Sequence, residues 1–221
     1  MTKISFVFSF YNEEETLPFL IKNVREVMAR EEHYEMIFVN DASTDKSADV
    51  IAREASGDKK NRIVLVNMSR RFGVEESFLA GISVAGGEAV ILMYTDMQDP
   101  PQVVPAMLEH FRAGAEIVHS IRSKRVGEHP LKNLAAFFAY RIIGWLAETK
   151  IPYDAGEFKL LSRNVAQHLL NLPEAEPYLR GLIPWIGLSR PMLNTTCPRG
   201  SGGKRRSRCS AKRPGPYFST A

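Results

Sequence analysis

The sequence predicts an α/β domain: a mostly parallel sheet with helices on both faces and a ligand site at the carboxyl ends of its strands. Three observations carry this. Short apolar, β-branched or aromatic runs alternate with longer stretches of helical period, as in successive βαβ units. Polar clusters follow the strand-like runs, YNEEE after the first, NDASTD after the second and TDMQDPP after the fourth, where open α/β sheets bind their ligands. The 221 residues, 44% hydrophobic and 24% charged, suffice for one domain with a full core.

Taken in order, strands are expected over residues 4–10, 35–40, 63–67, 89–94 and 116–121. Helices are expected over 14–30, 46–54, 75–84 and 101–111, the last started by Pro100 and Pro101, since proline is accepted in a first turn. A second part begins near Arg122. Residues 131–150 read as a long amphipathic helix, PYDAGEF as a turn, and 163–171 as another helix. From Pro191 the chain turns basic and rich in Gly, Ser and Pro without periodicity. We therefore expect a catalytic-type domain over 1–190 and a tail over 191–221 without regular structure.

The net charge of +4 belongs to that tail, which holds seven Lys or Arg and no acid, whereas residues 1–190 carry a net −3. Both cysteines, Cys197 and Cys209, also lie there. A body without cysteine holds no disulfide or thiolate metal site and suits a reducing compartment. The five histidines are scattered without zinc-ligand spacing. The N-terminus has no leader-like pattern, and no stretch reaches the roughly 18 apolar residues of a membrane span. The nearest, residues 135–147, carries Arg141 in its middle.

Each polar cluster admits two readings. Asp96, Gln98 and Asp99 offer oxygen donors to a divalent cation shared with phosphate, or form a turn capping the next helix. Ser43, Thr44 and Asp45 suit a helix cap, while Asp41, directly after its strand, is better placed to face a ligand. Glu13 and Glu14 suit a ligand pocket or the first turn of a helix.

Together, YNEEETL, VNDASTD, SRRFG with AGISVAGGEAVILM, TDMQDPP and DAGEFKLLSR stand in the order of the family-two inverting glycosyltransferases of the GT-A fold. The chain most resembles the branch that makes polyprenyl-phosphate sugars, the dolichol-phosphate mannose and bactoprenol glucosyl transferases, from Lys3 to about Ser189. The resemblance implies a hexose donor linked to UDP or GDP, a polyprenyl phosphate acceptor, and Mg2+ or Mn2+. Tyr11, Glu13 and Asp41 would line the nucleotide pocket, and Asp96 and Gln98 would hold the metal. Arg122 and Arg180 would contact phosphate, and Glu157 would serve the acceptor, as base or by orienting it, with Asp96 counted beside it in catalysis. It also implies work at the cytoplasmic face of a membrane, with homo-oligomerisation left open. The chain departs from the family pattern at Ser9 (usually proline), Arg71 (usually asparagine of SRNFG), Tyr94 (usually the first aspartate of D-x-D) and Glu157 (commonly aspartate).

The resemblance stops near Arg190, where relatives continue into a segment like R-x-x-G-E-x-K and then apolar helices. Read one base earlier, LNTTCPRGSGGKR permits E-Y-D-M-P-A-R-F-G-G-E-K, which contains the R-x-x-G-E of that motif, so a frameshifted C-terminus is the expectation. The rival reading is a native basic tail binding anionic partners. It has no nucleic-acid fold or interleaved aromatics, and no nucleic acid is expected. Two further functions compete with transfer. A nucleotidyltransferase should carry a Gly-rich basic loop at its first strand, where YNEEE is acidic. The other is a weakly active or non-catalytic remnant that binds nucleotide sugars without turnover.

Overall fold

The computed structural model describes residues 3–31, 33–58, 62–122, 155–174, 177–186, 192–196 and 210–212. These form a mixed eight-stranded sheet. The strands are β1 (Ile4–Phe10), β2 (Tyr34–Asn40), β3 (Arg62–Asn67), β4 (Ala89–Tyr94), β5 (Ile117–Arg122), β6 (Ala155–Ser162), β7 (Met192–Thr196) and β8 (Ser210–Lys212). Their spatial order is β3-β2-β1-β4-β6-β5-β7-β8. The helices are α1 (Leu17–Val27), α2 (Ser47–Gly57), α3 (Val74–Val84), α4 (Val104–Arg112), α5 (Arg163–Leu170) and α6 (Leu179–Trp185), with a 3-10 turn at Pro101–Val103.

The expected parallel unit is β3-β2-β1-β4. Strands β1 and β2 are buried along their whole length, the burial that unbroken apolar runs such as ISFVFSF require. One face of the sheet packs Phe6, Phe8, Phe38 and Ile91 under α1 and α4, and the other packs Val7, Ile37, Val39 and Leu92 under α3, α5 and α6. In α1, Leu17, Leu20, Ile21 and Val24 supply the buried stripe, a helical repeat of i, i+3, i+4 and i+7. The helix starts at Leu17 and not at Glu14, because Glu13 closes a turn by accepting from the amides of Thr16 and Leu17. Proline in the first turn suits that start.

Gly81 sets how closely α3 lies on the sheet. A Cβ there would overlap Val7 Cγ1 and stand 3.1 Å from Val39 Cγ2. Helix propensity favours alanine by about 1 kcal/mol, but overpacking a close-packed interface costs about 1–3 kcal/mol. Gly81→Ala is therefore expected to destabilise by up to about 2 kcal/mol, read as a lower urea midpoint. A raised midpoint would show that α3 shifts freely.

The sequence reading differs from the structure in three places. Strand β6 runs antiparallel between β4 and β5 and begins at Ala155, inside the segment read as a turn; Glu157 and Lys159 break the apolar run and hide it. Helix α6 was not expected, being short and carrying Pro184. Regular structure continues past residue 190: β7 pairs parallel with β5, and β8 pairs antiparallel with β7. An otherwise unpaired edge of β5 is a template for a further strand, and MLNTT supplies β-branched residues to fill it. The helix expected over 131–150 lies outside the described residues.

Candidate functional site

The carboxyl ends of β1, β2 and β3 are joined by backbone bonds that continue the sheet outward, and β4 lies beside β1. The amide of Asp41 donates to the Phe10 carbonyl at 3.0 Å, and that of Met68 to the Asn40 carbonyl at 3.0 Å. Four loops, residues 11–16, 41–46, 68–73 and 95–100, therefore emerge side by side along one edge.

The first two loops are laced together by their own polar groups. Asn12, in the left-handed region at φ 55° that asparagine tolerates, donates its amide to Ser43 Oγ at 3.0 Å. Its Oδ1 accepts from the Thr44 amide at 2.8 Å. The Glu13 amide donates to Ser47 Oγ at 2.8 Å, and Glu14 Oε2 accepts from the Lys46 amide at 3.0 Å. Asp45 accepts from the amides of Glu14 and Ser47. Desolvation pushes the Asp45 carboxyl up, but the Ser47 hydroxyl and these amides outweigh it and hold the group below the ordinary carboxylate value. In place of the cap and pocket readings, the structure shows Ser43, Thr44, Asp45 and Glu14 tying the two loops together. No signal local to either motif reveals this, because the bonds between the two loops join residues some thirty positions apart.

Asp41 is buried, 4% exposed. Its two carboxylate oxygens accept from the amides of Phe72 at 2.7 Å and Gly73 at 3.1 Å, which anchors the third loop. Gly73 sits at φ 116°, where a side chain is strained. The same loop lays the Arg71 guanidinium over the Tyr11 ring, 4.1 Å from its centroid, and Arg70 over Phe72 at the same distance. Tyr11 and Glu13 are half-buried at this mouth, and Glu13 Oε2 accepts from Thr16 Oγ1 at 2.6 Å.

The fourth loop separates residues that the sequence treats alike. Asp96 and Gln98 are exposed at the edge, whereas Asp99 is 1% exposed. Asp96 Oδ1 accepts from the Gln98 amide at 3.0 Å, a tight turn that Met97 allows at φ 57°. Tyr94, in the position of a first metal carboxylate, tilts its ring against Phe78, centroids 5.6 Å apart, and packs half-buried against the core under α3. Among the described residues no group of three or more His, Cys, Asp or Glu is arranged to hold a metal ion. An exposed carboxylate with an amide oxygen beside it does fit a hard cation whose remaining ligands are diphosphate oxygens and water. It does not fit an ion caged by protein alone.

Arg122 closes β5, and the β5–β6 register sets Ile121 opposite Ala155. The backbones of Arg122 and Glu157 therefore come to the same sheet edge as Tyr94; the side chains of both lie outside the described residues. Arg180 is exposed on α6, whose first amide, that of Leu179, donates to Glu75 Oε2 at the start of α3, at 3.2 Å. The structure thus gathers Tyr11, Glu13, Asp41, Asp96 and Gln98 at one edge, brings the backbones of Arg122 and Glu157 to it, and ties the helix of Arg180 to α3.

Known proteins share this fold. The fold matches a mannosyltransferase from Pyrobaculum calidifontis solved with GDP-Man and Mn2+, with a TM-score of 0.63 at 17% identity over 86% of this chain and 54% of that one. It also matches glucosyl-3-phosphoglycerate synthase from Mycobacterium tuberculosis solved with Mn2+, UDP-Glc and phosphoglyceric acid, with a TM-score of 0.60 at 21% identity over 87% and 70%. The fold is therefore GT-A, as the resemblance implied. In sequence, the chain is 35% identical over 187 residues to the uncharacterized glycosyltransferase YkcC of Bacillus subtilis (strain 168), covering 84% of this chain and 57% of that protein. It is 36% identical over 186 residues to the bactoprenol glucosyl transferase of Shigella phage SfV, covering 84% and 60%. The chain thus spans well under two thirds of the length of these curated relatives. The family model described as glycosyl transferase family 2 matches residues 5–170, from the second residue of β1 to the end of α5, and by that match this chain belongs to glycosyl transferase family 2.

Proposed function

We propose that this domain transfers a hexose from a UDP- or GDP-linked donor to a polyprenyl phosphate, with inversion at the sugar carbon. The observation that carries the reading is the gathering of Tyr11, Asp41, Asp96 and Gln98 by three neighbouring loops at one sheet edge. Relatives lend support through what they are named for: bactoprenol glucosyl transfer in the phage protein, and GDP-Man or UDP-Glc with Mn2+ in the solved structures.

In this reading Tyr11, Glu13 and Asp41 hold the base and ribose, and Asp96 and Gln98 hold Mg2+ or Mn2+. That cation, when bound, neutralises charge on the departing diphosphate. Arg122 and Arg180 add positive charge on the same leaving group. An acceptor phosphate oxygen attacks the anomeric carbon opposite the leaving group; the new C–O bond forms as the bond to the diphosphate oxygen breaks. A phosphate monoester is largely ionised at neutral pH, its second pKa being about 6, so Glu157 orients the acceptor more than it removes a proton. The lipid acceptor places the work at the cytoplasmic face of a membrane. Among the described residues no helix is long and apolar enough to cross one.

The exposed Asp96 and the buried Asp99 give the test. Asp96→Asn is expected to weaken Mn2+-dependent binding of UDP or GDP about tenfold or more, the worth of a lost charged contact, and Asp99→Asn by far less, as read by calorimetric titration of the metal at fixed nucleotide. Equal effects would remove the metal assignment. A donor-binding remnant is the second reading, favoured by Tyr94 packed against Phe78. Donor binding without transfer to any polyprenyl phosphate would establish it.

A further inference from the structure

The loop that carries Arg71 is fixed more firmly than an exposed loop needs to be. Asp41 holds the two amides that follow Arg71, Arg70 is laid over Phe72, and the Arg71 guanidinium carbon stands 4.1 Å over the centre of the Tyr11 ring. The polar groups of the two neighbouring loops are largely engaged with one another. The exposed Arg71 guanidinium, by contrast, makes no hydrogen bond among the described residues. A guanidinium carries five coplanar N–H donors and no acceptor. Stacking on an aromatic face fixes its plane and leaves its edge open. The result is a pre-positioned set of donors over Tyr11.

We propose that Arg71 is a specificity-determining residue that selects the base of the nucleotide, favouring a base whose edge offers carbonyl oxygens, uracil or guanine, over the amino edge of adenine or cytosine. A carbonyl edge satisfies the donors, as arginine does with guanine O6 and N7 elsewhere. An amino group in the place of that oxygen sets donor against donor and costs the arginine one of its bonds, a mismatch that discriminates between bases. Because Tyr11 and Asp41 hold the loop before any ligand arrives, little ordering is left to oppose binding. The inference rests on the nucleotide-sugar reading of the same edge.

The test is calorimetric titration of UDP, GDP, ADP and CDP in Mn2+ into the wild-type chain and into Arg71→Met, Arg71→Lys and Arg70→Met. Arg71 is exposed, so its variants keep the fold. The wild type is expected to bind UDP or GDP about tenfold or more tightly than ADP and CDP, the worth of a hydrogen bond to a charged group. Arg71→Met should weaken the preferred nucleotide by that factor, leave ADP and CDP unchanged, and so abolish the preference. Arg71→Lys, with a charge but no planar fork, should restore little of it, and Arg70→Met should keep it. A wild type without base preference, a preference that survives Arg71→Met, or an equal loss for all four nucleotides would overturn the role of Arg71; the last would place its charge on the diphosphate. A wild type that binds none of the four would overturn the nucleotide-sugar reading itself.

Discussion

Asp41→Ala is expected to lower stability by about 2–3 kcal/mol and to weaken nucleotide binding tenfold or more. Two backbone amides, those of Phe72 and Gly73, donate to its carboxylate at 2.7 and 3.1 Å. Each hydrogen bond to a charged group contributes about 1.5–3 kcal/mol, offset in part by water that reaches the half-exposed loop once the carboxylate is gone. Removing Asp41 would release the 68–73 loop and with it the Arg71–Tyr11 stack, so affinity falls even for a nucleotide that never touches Asp41. Asp41→Asn separates the two bonds: its carbonyl oxygen still accepts one amide, but its NH2 group opposes the other. Urea midpoints and calorimetric titration with UDP and GDP check both effects. An unchanged midpoint would show that the loop does not depend on Asp41.

Glu35→Ala is expected to cost about 3 kcal/mol, far from the site. Glu35 is 2% exposed near the amino ends of the strands. It accepts from Ser5 Oγ at 2.7 Å and the Gly86 amide at 2.7 Å, with Lys3 Nζ at 3.3 Å. Truncation leaves the hydroxyl and the amide unsatisfied, at about 1–3 kcal/mol each. Burial raises the Glu35 carboxyl, but the bonds from Ser5 and Gly86 and the Lys3 charge outweigh it and hold the group below its ordinary value of 4.5. A carboxyl depressed in the folded state binds fewer protons there than when unfolded. Its stabilisation is therefore complete above about pH 4.5 and is lost as the pH falls through the lower folded value. Thermal unfolding from pH 7 to pH 3 should show the wild type losing its advantage over Glu35→Gln across that acid range. A constant difference would show that Glu35 does not titrate on unfolding.

Much of the fold is legible because its signals are local. The runs ISFVFSF and AVILMY can satisfy their burial as central parallel strands, and both occupy the expected residues. The parallel core and the clustering of polar loops at one edge follow from that alone. Strand β6 escaped because antiparallel insertion between β4 and β5 is a choice of partner, and its charged residues carry no strand pattern. The strands beyond residue 190 escaped for the same reason: MLNTT becomes a strand by meeting the edge of β5.

At the site the division is sharper. By itself the sequence determined which polar residues stand at the carboxyl ends of the strands, since Tyr11, Asp41 and Asp96 each follow a strand within two residues. It also determined the family to which they belong. Only the tertiary structure decided what each side chain does there. Asp96 stays exposed while Asp99, three residues on, is buried. Tyr94 packs half-buried against Phe78. Asp41 and Asp45 give their oxygens to amides of other loops, and Arg71 finds Tyr11 sixty positions away. The physical reason is range: burial and strand pattern are written into neighbouring residues, but hydrogen-bond and stacking partners are chosen when separate loops meet.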